Sequence, residues 1–339
     1  MSAMDAATPQ VQDAAPARPR WQTLIIRPET MTLVLLVIGV FAGSQLSPFF
    51  LDINYIFKSF TLYSEVAMVA LVLTMVIIAG EIDLSPAANM ALSAAAFAWL
   101  QANGVPIPLA VIAGLAAGLA MGAVNAFFVI ALQLPSIIVT IGTLTLYRGL
   151  AQIIAGDASI RVPEWFIGVD KVMIGSAPQI GFAGVSLPVT LFIIFAIVLG
   201  VVLSSTIFGR QIYQIGTNEI AAKHAGIRTA RIKVGLFLLI GVVSAFAGIM
   251  TASRLGSVRY DLALGQELQM VLMAMLGGTY IFGGRGTILG TFLAAWLLVI
   301  VSTGMIVANV LPAVQLVVLG ALLIVSIIAT NFIYSRTQR

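Results

Sequence analysis

Two carboxylates stand between long apolar runs in the segment Ala79-Gly80-Glu81-Ile82-Asp83-Leu84-Ser85-Pro86. The Gly and Pro near its ends break a helix. A charge at membrane depth is costly, so a carboxylate there lines a cavity or a helix break and is a functional candidate by default. The same residues also make an ordinary turn, with Asp83 or Ser85 capping the next helix and Pro86 starting it. The two readings are compatible. Other polar residues interrupt apolar stretches at Asn89, Asn125, Arg148, Gln152, Glu267, Gln269, Asn309 and Gln315. Each either offers hydrogen bonds to an uncharged polar solute or bonds a neighbouring helix, the commoner role of a buried amide. Glu81, Asp83, Ser85, Asn89, Asn125, Arg148 and Glu267 are therefore the candidate lining of a solute route. The chain has no cysteine, which excludes disulfides, thiolate metal sites and cysteine nucleophiles. A single histidine, His224, makes a histidine metal site improbable. No nucleophile–base pair is visible, so neither a metal, a bound cofactor nor catalysis is expected.

The loop from Gly209 to Ile227 carries a different signal. Thr217 or Asn218 suits an N-cap, Glu219 the first turn and Gly226 the position past the end. This predicts a short helix outside the membrane, presenting Ile220 and His224 on one face, with Lys223 beside them. A surface helix with apolar anchors suits docking into a partner's groove. Arg228, Arg231 and Lys233 follow it, so a helix lying on the lipid surface is the alternative. A third block runs from Leu276-Gly277-Gly278 through Gly283-Gly284-Arg285-Gly286 to Gly290. A phosphate-binding loop needs a Lys and then Ser or Thr after its glycines, between a strand and a helix. That Lys is missing and the flanks are apolar, so the glycines permit tight turning between two spans. No nucleotide-binding site of the chain's own is expected.

These segments must be held by something, and composition says what. Of 339 residues, 60% are hydrophobic and only 9% charged, with a mean hydropathy of +1.08. Soluble domains carry roughly a quarter charged residues, so this chain hides its apolar surface in lipid. With about 20 apolar residues per span, about ten segments qualify. They lie near 31–50, 61–80, 86–102, 107–131, 136–156, 187–208, 232–255, 267–282, 288–308 and 312–332. The third and eighth are short and polar-interrupted, so either full spans or re-entrant segments fit. The expected fold is an all-α, polytopic transmembrane bundle over residues 29–335. A disordered tail over 1–28 that lacks the apolar core of a signal peptide precedes it, and a tail over 336–339 follows. The net charge of +4 is spread over short loops, which points to membrane orientation rather than nucleic acid. Arg18, Arg20, Arg27, Arg210, Lys223, Arg228, Arg231, Lys233, Arg285, Arg336 and Arg339 fall on one side, so both termini are expected in the cytoplasm. Gly114, Gly118 and Gly122 recur every fourth residue, a stripe that fits a close helix–helix seam.

Three blocks together resemble the permeases of bacterial carbohydrate-uptake ABC transporters, the ribose/xylose/rhamnose branch. They are Gly80-Glu81-Ile82-Asp83-Leu84-Ser85, the loop Gly209–Ile227 and the glycine block Leu276–Gly290. Leu134-Pro135-Ser136-Ile137-Ile138-Val139-Thr140-Ile141-Gly142-Thr143 and Ser253-Arg254-Leu255-Gly256-Ser257 are similar to the rhamnose permeases in particular, with the autoinducer-2 permeases next. Glu81 stands where many relatives carry Gly, and Pro86 departs from the usual pattern. The resemblance implies an importer permease in the bacterial inner membrane, with a rhamnose-like sugar favoured. It implies that residues 217–226 form a coupling helix, within a cytoplasmic loop over 209–231, that seats in an ATPase subunit which itself binds ATP. The coupling contacts would be Thr217, Asn218, Glu219, Ile220, Lys223, His224 and Gly226. Further implied partners are a periplasmic sugar-binding protein and a second permease copy or paralogue. An autoinducer-2 or other pentose/hexose permease is the alternative within the family. A proton-coupled transporter using Glu81 and Asp83 is the alternative outside it, and the paucity of intramembrane carboxylates argues against that.

Overall fold

The computed structural model describes residues 28–337; the expected tail over 1–27 and residues 338–339 lie outside them. Pro28, placed in the tail by sequence, opens the first helix, and the last helix runs on through 337. The described chain folds into thirteen α-helices. They are α1 (Pro28–Leu46), α2 (Ile53–Thr61), α3 (Ser64–Ile78), α4 (Pro86–Ala102), α5 (Ile107–Ala126), α6 (Ser136–Ala155) and α7 (Leu187–Ser205). Then come α8 (Ile207–Thr217), α9 (Glu219–His224), α10 (Thr229–Leu255), α11 (Gln266–Leu276), α12 (Ile288–Val307) and α13 (Pro312–Thr337). The all-α polytopic bundle expected from composition is what the chain forms.

Seven of the helices are long and apolar enough to cross a membrane, and the bent pair α2–α3 makes an eighth. The sequence placed one straight span over 61–80; instead the chain turns 70° at Leu62–Tyr63. Asp52 caps α2 by accepting from the Asn54 amide, so a separate short helix starts there. The segment expected over 267–282 is helical only to Leu276, because Gly277 ends α11 and Gly278 turns with φ +85°. Eleven residues rise about 16 Å, roughly half a hydrocarbon core.

Helices α3 and α4 sit in the middle. Every residue of α3 is buried, and so is most of α4. This explains why α4 is not a simple apolar span: protein, not lipid, surrounds Asn89 and Ser93. By contrast α1 and α13 are largely exposed apolar surface, as lipid-facing helices must be. The Gly114-Gly118-Gly122 stripe of α5 does form a helix seam. A Cβ at 118 or 122 would overlap the α10 backbone at Gly241 or Phe237, so only glycine lets the two helices approach so closely.

The bundle has two ends. At one, the 156–186 loop folds into two small antiparallel pairs, Ile160–Arg161 with Ser257–Val258 and Met173–Ile174 with Val185–Ser186. At the other lie α8 and α9. Glu29 accepts a hydrogen bond from Thr287 and Tyr334 donates one to Gly278, so both ends of the described chain reach this second end.

Candidate functional site

The three blocks singled out by sequence meet at the α8–α9 end. Helix α3 stops at Ile78, and its carbonyl accepts a 2.8 Å hydrogen bond from Gly284 of the third block. Gly216, near the end of α8, crosses between these two strands of backbone. A Cβ at 216 would overlap the Ile78 carbonyl oxygen and the Gly284 nitrogen, so the crossing exists only because the residue is glycine. Gly283 has φ +87°, and a Cβ on it would lie 2.9 Å from Gly80 Cα. Tyr213 of α8 adds a 2.7 Å bond to Gly286 O, and Arg285 stacks 4.9 Å above the Tyr334 ring. The glycines expected to permit tight turning do so against one another.

Helix α8 is amphipathic: Thr206 caps it, and Gly209, Ile212 and Ile215 form its buried face. Thr217 belongs to this helix, its hydroxyl donating to Tyr213 O at 2.8 Å. The short helix expected over 217–226 is therefore α9 alone, six residues long. Asn218 is extended, separates the two helices, and caps α9 by accepting from the Ala221 amide at 3.0 Å. Gly226 follows its end with φ +82°. Ile220 is 69% exposed, and the neighbouring exposed His224 places Nδ1 2.9 Å from Ile220 O. Lys223 pairs with Glu219 one turn earlier at 2.9 Å.

Glu81 and Glu219, read from sequence as belonging to separate features, share one cation. Lys233 Nζ lies 2.6 Å from Glu81 Oε1 and 2.6 Å from Glu219 Oε2. From sequence Lys233 counted as an orienting charge and as one of the basic residues that fit a lipid-surface helix. Its signal was a lysine just inside an apolar helix, where an unpaired ammonium is expensive. Burial pushes the Glu219 carboxyl up, but bonds from Lys233 and Lys223 outweigh it and hold the group below its ordinary value. A cleft of about 430 Å³ opens beside this triad, lined by Gln133, Ser136, Thr229 and the charged residues themselves.

Asp83, Ser85 and Asn125 form a second, buried network. Asp83 Oδ1 accepts from the Ser85 amide at 2.8 Å and its hydroxyl at 2.7 Å, and Asn125 Nδ2 donates to Ser85 Oγ at 2.8 Å. Tyr147, which the sequence did not single out, donates to Asn125 Oδ1 at 3.1 Å and Met121 O at 2.9 Å. Ser85 stands at the N-cap position of α4 but makes no side-chain cap bond, because its hydroxyl is turned to Asp83; Pro86 does open the helix. Asn89 is separate, its amide near Gly118 O and its oxygen accepting from Ser93.

Arg148 and Glu267 lie elsewhere. Position 148 is twelve residues along α6 from Ser136, about 18 Å toward the loop end. Arg148 donates to Tyr260 O at 2.9 Å and Leu262 O at 2.6 Å, and Glu267 stands in the first turn of α11, five residues beyond Leu262. Glu65 and Arg254, also missed as a site, make a 3.0 Å ion pair in which the carboxylate is buried. The expected lining is thus divided among a triad at one end, a buried inner network and a polar group toward the other end.

Multiple apolar helices around polar, glycine-crossed breaks define a multi-pass membrane permease of the bacterial inner membrane. The chain belongs to the family described as branched-chain amino acid transport system / permease component, whose model matches residues 55–327. It is 32% identical to the autoinducer 2 import system permease protein LsrD of Escherichia coli (strain K12), over 91% of this chain and 94% of that one. The same protein of Shigella flexneri and of Escherichia coli O157:H7 matches equally. No solved structure matches significantly. The resemblance to ABC-importer permeases of the sugar branch is borne out at family level, whereas nothing in the comparisons favours rhamnose.

Proposed function

We propose that the chain is the translocating subunit of an ABC importer for a small, uncharged, polyhydroxylated solute of the autoinducer-2 or monosaccharide class. A periplasmic binding protein delivers the solute, and ATP is hydrolysed by an ATPase docked on α9. Two such permeases, or this one and a paralogue, enclose the route. Both termini and α9 then face the cytoplasm, in line with the distribution of Lys and Arg. The autoinducer-2 reading rests on the relatives, which are autoinducer 2 import permeases, and rhamnose has no comparable support.

The observation that carries the reading is the joint at Gly216. Helix α9 projects Ile220 into solvent, while α8, directly before it, crosses the ends of α3 and the loop after α11 in backbone contact. A push on α9 reaches the buried centre through that crossing. An exposed apolar anchor on a capped surface helix fits a groove on a protein partner. The carboxylates a proton-coupled transporter would need are both engaged: Glu81 with Lys233, Asp83 with Ser85. This favours the ATP-driven reading.

The test is Ile220→Asp, alone and with His224→Asp, in membranes containing the co-expressed ATPase subunit. Loss of co-purifying ATPase and of uptake of labelled autoinducer-2 or sugars, with normal permease insertion, is expected. Undiminished association and uptake would remove α9 from the docking role.

A further inference from the structure

Lys233 holds two carboxylates that belong to different parts of the molecule. Glu81 lies in a pinned segment: the Ile82 amide donates to Ser136 Oγ at 3.1 Å, Ile82 O accepts from Thr140, and Gly80 sits in the glycine crossing. Glu219 stands on a six-residue helix held by its Asn218 cap and by Lys223. The Lys233 and Glu81 side chains are 9% and 13% exposed, the Glu219 side chain 35%.

Resting on the ABC-importer reading above, we infer that Lys233 is the positioning residue of coupling: an ionic joint that ties α9 to the 80–85 segment and shifts between two carboxylates as α9 moves. A buried ammonium stripped of its partner is severely penalised, so a single ion pair would resist any motion that opened it. Two acceptors at 2.6 Å remove that obstacle, because one bond lengthens while the other holds. The adjoining cleft gives the lysine stem room to follow.

The backbone around the cleft is unusual in the way moving parts often are. Residues Phe127–Ala131, which supply Val129 and Ile130 to its wall, form a π-helical turn, and Gln133 on its rim has φ +55° without being glycine. Such conformations cost energy and concentrate where function requires them. A merely structural strut has no need of three charges, since apolar packing of the same volume serves as well or better.

The decisive measurement is the ATP hydrolysed per solute imported, in proteoliposomes holding the complete transporter with its ATPase and binding protein. In Lys233→Met the ratio rises about tenfold, within the usual range for coupling between two distinct sites, while the ATPase subunit remains bound. Lys233→Arg restores most of it. Glu81→Gln and Glu219→Gln each give a smaller rise, since one carboxylate is left. If Lys233→Met fails to insert, Glu219→Gln decides, because that side chain is one-third exposed and its loss spares the core. A wild-type ratio in the inserted Lys233→Met, or failing that in Glu219→Gln, overturns the joint. The outcome is distinguishable from failure of the docking reading: there, Ile220→Asp keeps both ATPase and uptake, whereas here Ile220→Asp releases the ATPase and the Lys233 variant stays fully coupled.

Discussion

Replacing Gly216 by alanine adds one methyl group at the place where three segments cross. In the native crossing that methyl would overlap the Ile78 carbonyl oxygen and the Gly284 nitrogen and lie 2.9 Å from the Ile78 carbonyl carbon. Every one of these atoms is backbone, so no side chain can swing aside to make room. Overpacking of this kind costs about 1–3 kcal/mol. Separating the strands also breaks the Gly284–Ile78 hydrogen bond, about 1 kcal/mol more. A destabilisation of roughly 2–4 kcal/mol follows, partly offset by the better helix propensity of alanine, under about 1 kcal/mol. The assay is thermal unfolding of the detergent-solubilised permease, read beside solute uptake in cells at matched expression. Gly216→Ala lowers Tm by roughly 5 °C or more and abolishes uptake. Gly235→Ala is the control, since a Cβ at that helical glycine of α10 meets nothing within 4 Å; it leaves both readouts unchanged or slightly improved. A Gly216→Ala protein with the Tm and uptake of the control would refute the crossing as the mechanical centre.

Two further perturbations test the charged groups. Glu65→Gln leaves Arg254 facing a neutral amide where the carboxylate is now 1% exposed; breaking such a buried pair costs about 3–5 kcal/mol, so the variant unfolds at distinctly lower temperature, and an unchanged Tm would deny the pair a structural role. Glu219 is held below its ordinary value near 4.5, so the stabilisation it lends α9 is fully present above that value and disappears as pH falls through the lower folded value. With no native cysteine to interfere, a spin label at Ala225→Cys should report constant α9 mobility from neutral pH down to that region and a rise below it. The same label in a Glu219→Gln background should show no such transition, and an identical transition there would assign it to another group.

Much of the bundle was legible because lipid imposes a simple ruler. Segment 86–102 coincides with α4, and 136–156, 187–208, 232–255 and 288–308 match α6, α7, α10 and α12 to within three residues at each end. The bend at Leu62–Tyr63 was not legible, since neither residue is a helix breaker and the contact beside it, Thr61 to Ser186 of the 156–186 loop, is made between residues 125 positions apart. The α9 cap was visible in Asn218 and Gly226 because capping is local chemistry. The ionic triad was invisible for the opposite reason. Glu81 and Lys233 are 152 positions apart, and no periodicity links them. Tyr147 escaped notice similarly, as an aromatic on an apolar helix differs from a lipid-facing one only through a partner, Asn125, that the fold supplies.

Joining the glycine crossing to the lysine triad leads to a statement about how force travels. Backbone in van der Waals contact cannot be compressed, so α8 cannot move toward Ile78 or Gly284 without displacing them, and through them α3 and the loop between α11 and α12. Helices α3 and α4 are sheathed by the rest of the bundle, so they move as a packed body rather than bending separately. A contact of that rigidity transmits motion but offers no second resting state. The triad differs from it in kind: Lys233 Nζ lies 2.6 Å from both Glu81 and Glu219, so the ammonium keeps one acceptor when the other is drawn away. A two-state element biased from both ends is what coupling requires. In this chain the rigid crossing and the ionic joint are adjacent, contiguous at Gly80-Glu81 and two residues apart at Gly216–Glu219, and both are reached from the same short helix.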